Sequence, residues 1–213
     1  MGEPPIRALF VDIGGVLATN GWDTDTRHQA VEHFGLDAKE TDSRHRLTFE
    51  LYETAKLTWY EYLDEVIFHR PRPFTREQFT DFVLAQSRPF PDMLDLVAGV
   101  KRAAGLKVVA VSNEGRELTE HRLRKFNLCA VVDFFVASCF VRLRKPDQAI
   151  YRVALDLSQV APEQVAYLED RDMFVEVAGK LGIRAILHRD VASTRAALAA
   201  MGLTASPNAA EPA

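Results

Sequence analysis

The chain has 213 residues, 47% hydrophobic and 26% charged, enough for one large domain or a domain carrying an insertion. Its 26 basic and 30 acidic residues leave a net charge of −4, which offers no basic field for nucleic acid or an anionic membrane, and no apolar run approaches the ~20 residues that span a bilayer. Cys129 and Cys139 form neither a Cys-x-x-Cys pair nor a zinc spacing, and the N-terminal stretch lacks the apolar segment of a signal peptide, so a reducing cytoplasm is the expected compartment.

The first predicted element is a buried parallel strand, Ala8–Val11, within ALFVDIGGVL. It stops on Asp12 and is followed by Gly14 and Gly15, which let the backbone turn sharply and approach a ligand. Helical periodicity then occupies residues 26–35, 43–56, 58–69 and 75–86, with no convincing strand between 20 and 88. Thr58 with Glu61 and Thr75 with Gln78 read as capping boxes. Phe49, Tyr52, Trp59, Tyr62, Phe68, Phe79 and Phe82 fall at helical spacings and predict the core of a small bundle. RPRPF at 70–74 and RPFPD at 88–92 break the pattern, the second as the hinge out of the insert.

From there helix and strand alternate. Helices are predicted at 92–104, 117–126, 147–157, 173–181 and 193–201, and strands at 107–111, 134–137, 165–168 and 184–187. The alternation implies a parallel sheet with right-handed crossovers, the helices at 20–88 being inserted above the strand ends. Residues 204–213 read as a frayed polar tail.

Three predicted strands end in polar residues: Asp12, then Ser112 with Asn113, then Glu169 with Asp170. Strands of a parallel sheet point one way, so these groups converge on the edge where open α/β sheets bind ligands. Lys145, just before Pro146 and a helix start, can reach the same edge. A nucleophilic carboxylate, a hydroxyl and amide cradle, a lysine and a second acidic pair make a phosphate-and-magnesium site on chemical grounds.

With these residues in view, the chain resembles the haloacid dehalogenase (HAD) superfamily. Asp12 in FVDIGGVL matches the first family motif, Ser112 in VVAVSN the second, Lys145 in RKPD the third, and Glu169-Asp170 in VAYLEDRD the fourth, in order over about residues 6–190. The resemblance implies a Rossmann-like core at 1–19 and 89–203 with an inserted α-helical cap of C1 type at 20–88. It also implies a Mg2+-dependent phosphatase acting on a small phosphorylated metabolite. Asp12 would be the nucleophile, and Ser112, Asn113 and Lys145 would bind the phosphoryl group. Asp12, the Gly14 carbonyl and Asp170 would hold magnesium, with Glu169 as support or as a water-mediated ligand. No nucleic-acid or membrane partner is expected, and the oligomeric state is not legible.

One departure stands out. Phosphatases of this group mostly carry a second Asp where this chain has Gly14, and that Asp protonates the leaving group. The dehalogenase branch also lacks it, and so would a non-catalytic binding protein that keeps the fold. The acidic pair at 169–170 favours the cation-dependent phosphatase over the dehalogenase, and the intact Asp12, Ser112, Lys145 and Asp170 speak against the non-catalytic protein.

Overall fold

The computed structural model describes residues 4–205, so most of the expected tail at 204–213 lies outside the described residues. Five parallel strands form one sheet: β1 (Ala8–Val11), β2 (Lys107–Ser112), β3 (Phe134–Ala137), β4 (Val165–Glu169) and β5 (Arg184–Leu187), in spatial order β3-β2-β1-β4-β5. β1 is central because every one of its residues is buried on both faces, the property its unbroken apolar run foretells. Val11 pairs with Ala110 on one side and Leu168 on the other, so the chain leaves β1, β2 and β4 at one level. Asp12 starts from that level, and its backbone N–H donates to the Leu168 carbonyl at 2.9 Å.

Helices cover both faces. Leu9, Val11 and Val108 pack with α5 (Pro91–Ala104) and α10 (Val191–Ala200); Phe10, Val109, Val111 and Tyr167 pack with α8 (Gln148–Ser158) and α9 (Asp172–Gly179). Pro91 opens α5, where a missing N–H costs nothing, and Gly105 closes it in the left-handed conformation. Asp147 and Asp190 cap α8 and α10 through their carboxylates.

The insert between β1 and α5 is all helix: α1 (Thr24–Phe34), α2 (Ala38–Glu53), α3 (Trp59–Val66) and α4 (Arg76–Ala85). Both capping boxes form, Thr58 with Glu61 and Thr75 with Gln78. α2 begins five residues before the predicted start, because Asp37 Oδ1 accepts from Glu40 N at 2.8 Å and caps the polar stretch AKETD into the helix. α3 stops three residues short of the predicted 69, and Arg72 Nε donates to the freed Ile67 carbonyl at 2.7 Å. Tyr52, Trp59, Tyr62 and Phe79 are buried in a third apolar cluster, joined by Trp22, with Phe49, Phe68 and Phe82 packed around it.

The linkers into and out of the insert run side by side. Thr19 N donates to Arg88 O at 2.9 Å, Phe90 N to Leu17 O at 2.8 Å, and Ala18 bridges Pro89. Between β2 and β3 lies α6 (Arg116–Lys125). A short turn of helix after β3, α7 (Ser138–Val141), has no signal in the periodicity.

Candidate active site

Asp12, Ser112, Asn113, Gly14 and Lys145 all line one cavity of about 330 Å³ between the strand ends and the inserted helices. Lys145 is wholly buried and pairs with two carboxylates, Asp12 Oδ2 at 2.9 Å and Glu169 Oε2 at 2.7 Å. Its position is set by Asn113, whose side-chain nitrogen donates to the Lys145 carbonyl and whose oxygen accepts from the Lys145 N–H, both at 2.8 Å. The Asn113 side chain therefore shapes the lysine loop. Burial alone would lower the Lys145 pKa, but Asp12 and Glu169 reverse this and hold it above its usual value. Burial pushes Asp12 up to about 6; Lys145 opposes that rise and Glu169 adds to it.

Glu169 is saturated by protein donors. Oε2 accepts from Lys145 and from the Tyr167 hydroxyl, and Oε1 accepts from the backbone N–H groups of Asp170 at 3.1 Å and Arg171 at 3.2 Å. Asp12, Glu169 and Asp170 offer carboxylate oxygens within 4.8 Å of one another. Against these three carboxylates stands one ammonium, and Asp170 Oδ1 is buried with no hydrogen-bond partner. An orphaned carboxylate oxygen beside surplus negative charge fits a hard divalent cation. Gly15 leaves room for it: at φ +76°, a side-chain carbon there would overlap the Asp170 carboxylate.

Several groups at the site carry no sequence signal. Tyr167 reads as an inward strand residue, yet its hydroxyl joins Lys145 at 3.2 Å and Glu169. Arg122, on the polar helix α6, is fully buried; it pairs with Glu114 and donates to Ser87 Oγ at 2.8 Å and the Thr19 carbonyl at 2.6 Å. Arg144, next to Lys145, meets Glu53 of α2 at 2.8 Å. Arg70, Arg72 and Arg76 line a different surface recess, and Arg70 and Arg76 pair with Glu40 and Asp64. Arg27, Arg46, Arg144 and Arg171 line the cavity instead, beside the rings of Trp22, Phe49, Tyr52 and Trp59. His188 lies off the cavity, bonded through Nδ1 to Thr194 Oγ1 at 2.7 Å.

The family model for haloacid dehalogenase-like hydrolases matches residues 6–182, which span the insert and the first four strands of the sheet. The chain belongs to that family. Over 203 residues it is 23% identical to bifunctional epoxide hydrolase 2 of Sus scrofa, covering 87% of this chain but 37% of that protein. It is 27% identical over 97 residues to (S)-2-haloacid dehalogenase 1 of a Pseudomonas species, 46% of this chain and 42% of that one. It is 33% identical over 108 residues to a phosphorylated carbohydrates phosphatase of Thermotoga maritima, 47% and 50% of the two chains. The chain thus spans about a third to a half of the length of these relatives. Among solved structures, a HAD family enzyme from Bacteroides thetaiotaomicron aligns with a TM-score of 0.75 and 19% identity, over 87% of this chain and 95% of that one. A structure of that enzyme with magnesium and inorganic phosphate gives 0.74 and 19%, over 86% and 94%. These structural likenesses show a HAD-like fold, and the family model makes the chain a haloacid dehalogenase-like hydrolase.

Proposed function

We propose that this hydrolase is a magnesium-dependent phosphatase of a small phosphorylated metabolite, acting through a phosphoryl group carried on Asp12. The observation that carries the reading is the carboxylate trio of Asp12, Glu169 and Asp170 around a single buried lysine, with Asp170 Oδ1 left unpartnered. Magnesium would be held by Asp12, the Gly14 carbonyl and Asp170, and when bound it would supply charge neutralisation for the incoming phosphate. Glu169, saturated by donors, then serves to hold Lys145.

The chain's own residues do the rest. Asp12 attacks phosphorus in line with the leaving oxygen, splitting one displacement into two. Ser112 and the Asn113 N–H bind phosphoryl oxygens, and Lys145 neutralises charge shared between them and Asp12. The cap, residues 20–88, closes over the core at 1–19 and 89–203 about the linkers at 18–20 and 88–91, excluding water from phosphoryl transfer. The cavity volume suits a small metabolite, and its mixed arginine and aromatic wall suits one with both an anionic and an apolar part.

The test is hydrolysis of an aryl phosphate by purified protein, with magnesium and with a chelator. Turnover that requires magnesium and is lost in Asp12→Asn is the expected result; turnover indifferent to both would overturn the reading. The matches to haloacid dehalogenases, together with Gly14, favour a second reading, hydrolysis of a carbon–halogen bond. It calls for metal-independent halide release from a 2-haloacid, and the carboxylate trio counts against it.

A further inference from the structure

The proposed reaction needs a proton at the leaving oxygen and then a base for water, and position 14 has no side chain to supply either. The space beyond Gly14 is taken. A side-chain carbon there would stand 3.0 Å from Asn20 Oδ1 and 3.9 Å from Arg122 Nη1, and a guanidinium yields no proton near neutral pH. The proton must come from elsewhere on the cavity wall, and most acids there are already engaged. Asp23 caps α1, accepting from Thr26 N and Thr26 Oγ1 at 2.9 Å each. Glu114 is locked to Arg122 and Thr119. Glu117 accepts from Tyr52 Oη at 3.0 Å and Trp59 N at 3.4 Å. The imidazole of His45 is tied through Nδ1 to the Tyr62 hydroxyl at 2.8 Å.

Glu53 differs. It ends α2, is 4% exposed, and lines the same cavity as Asp12. Among the described residues its ion-pair partner is Arg144, whose Nη2 lies 2.8 Å from Oε2, yet the pair is not aligned as a hydrogen bond: Glu53 Oε2 is buried without a hydrogen-bond partner, as is Arg144 Nε. A buried carboxyl whose oxygen makes no hydrogen bond, on the wall of a cavity whose nucleophile lacks a proton carrier, has capacity left for a ligand.

We propose that Glu53, brought to the cavity by the cap, is the general acid and base that the first motif lacks at Gly14. The assignment rests on the phosphatase reading. In the first step an Asp12 oxygen bonds to phosphorus, the bond from phosphorus to the leaving oxygen breaks, and the Glu53 proton moves to that oxygen. In the second, water bonds to phosphorus, its proton passes to the Glu53 carboxylate, and the bond from phosphorus to Asp12 breaks. Phosphate and alcohol depart and the starting protonation state returns. Because α2 carries the group, proton transfer requires the cap to be docked.

The surroundings of Glu53 suit the role. Burial pushes its pKa up to about 7; Arg144, Arg171 and Lys145 oppose the rise and Glu114 adds to it. A carboxyl poised near neutrality can be protonated in one step and bare in the next.

The experiment is a leaving-group series, from dinitrophenyl phosphate to a simple alkyl phosphate, on the magnesium-loaded protein and on Glu53→Gln. The expected result is a loss of about 10²–10⁴-fold in kcat/KM on the alkyl ester and under about fivefold on the dinitrophenyl ester, whose leaving group needs no proton. Dinitrophenolate should then appear as a burst, with phosphate held on Asp12 for want of a base. Arg144→Gln serves as the comparison: it should keep the shallow leaving-group dependence and shift the alkaline limb of the pH profile upward. Equal losses across the series, or the same profile from both variants, would overturn the assignment by showing that Glu53 only holds Arg144. The wild type gives an independent readout should the variants fold poorly: an alkaline limb in kcat/KM for the alkyl ester that is absent for the dinitrophenyl ester. Its presence in both would also overturn the assignment. Absence of Asp12-dependent turnover on every ester would overturn the phosphatase reading itself, and this assignment with it.

Discussion

Gly15 and Asp170 meet so closely that position 15 cannot take a side chain while the Asp170 carboxylate stays in place. The Gly15 backbone is at φ +76°, and an added methyl would overlap the Asp170 carboxylate. The left-handed conformation costs an L-residue about 1–3 kcal/mol at a constrained site, and the overlap with Oδ2 would displace the whole carboxylate, whose Oδ1 lacks a partner. Gly15→Ala is therefore expected to weaken magnesium binding by an order of magnitude or more while leaving the fold intact. Calorimetric titration with magnesium checks it, and unchanged affinity would show that Asp170 is not a ligand. The same pair explains why Asp12-x-Gly14-Gly15 looks ambiguous in the sequence: a strand ending in Asp and two glycines is also a plain turn. Only the arrival of Asp170 over the second glycine separates the two meanings.

At the scale of elements, the sheet was legible because each strand is either an unbroken apolar run or a run ending on polar residues. The capping boxes at Thr58 and Thr75 were legible because each encodes its own start within four residues. α6 was legible as a helix and misleading as a surface. RELTEHRLRK reads as a solvated face, yet Arg122 is fully buried and fastens three separate places: Glu114 beyond β2, Thr19 on the way into the insert and Ser87 on the way out. Those partners are remote in sequence, so no local pattern could reveal them. Glu53 and Tyr167 were missed for the same reason, one at a helix end and one on an inward strand face. The ties give α6 a measurable role. Arg122→Met leaves the buried Glu114 with the Thr119 hydroxyl but without its charge partner, and should cost about 3–5 kcal/mol. Adding Glu114→Gln should restore part of that. Urea unfolding of the single and double variants decides; a double variant as unstable as the single one would locate the cost in the lost linker contacts instead.

Over the whole molecule, two buried groups in the cap pull stability against acid in opposite directions. His45 is held neutral by a directed chain. The Trp22 indole can only donate, and does so to Tyr62 Oη at 2.6 Å, which leaves the Tyr62 hydroxyl proton available to His45 Nδ1, 2.8 Å away. Burial pushes the His45 pKa down to about 3; Arg27 pushes the same way, Asp42 pulls back, and Arg46 adds a smaller push down. In the unfolded chain an imidazole titrates near 6.5. Between these values the unfolded chain binds a proton that the folded protein refuses. The stabilisation is therefore complete above about pH 6.5 and is lost as pH falls toward 3. Glu53 works in the other direction: with its pKa raised to about 7, its contribution is present below about pH 4.5 and is lost as pH rises through 7. Acidification from pH 7 to 5 thus sets His45 against Glu53. Removing the histidine should leave the glutamate's trend exposed. His45→Gln keeps an acceptor for the Tyr62 hydroxyl and cannot take up a proton. It should lose less stability than the wild type over that interval, by about 2 kcal/mol from 1.5 pH units at 1.36 kcal/mol each. Urea unfolding at pH 7, 6 and 5 measures the difference. Parallel curves would mean that His45 is protonated in the folded protein, and with it that the Trp22–Tyr62–His45 chain runs the other way.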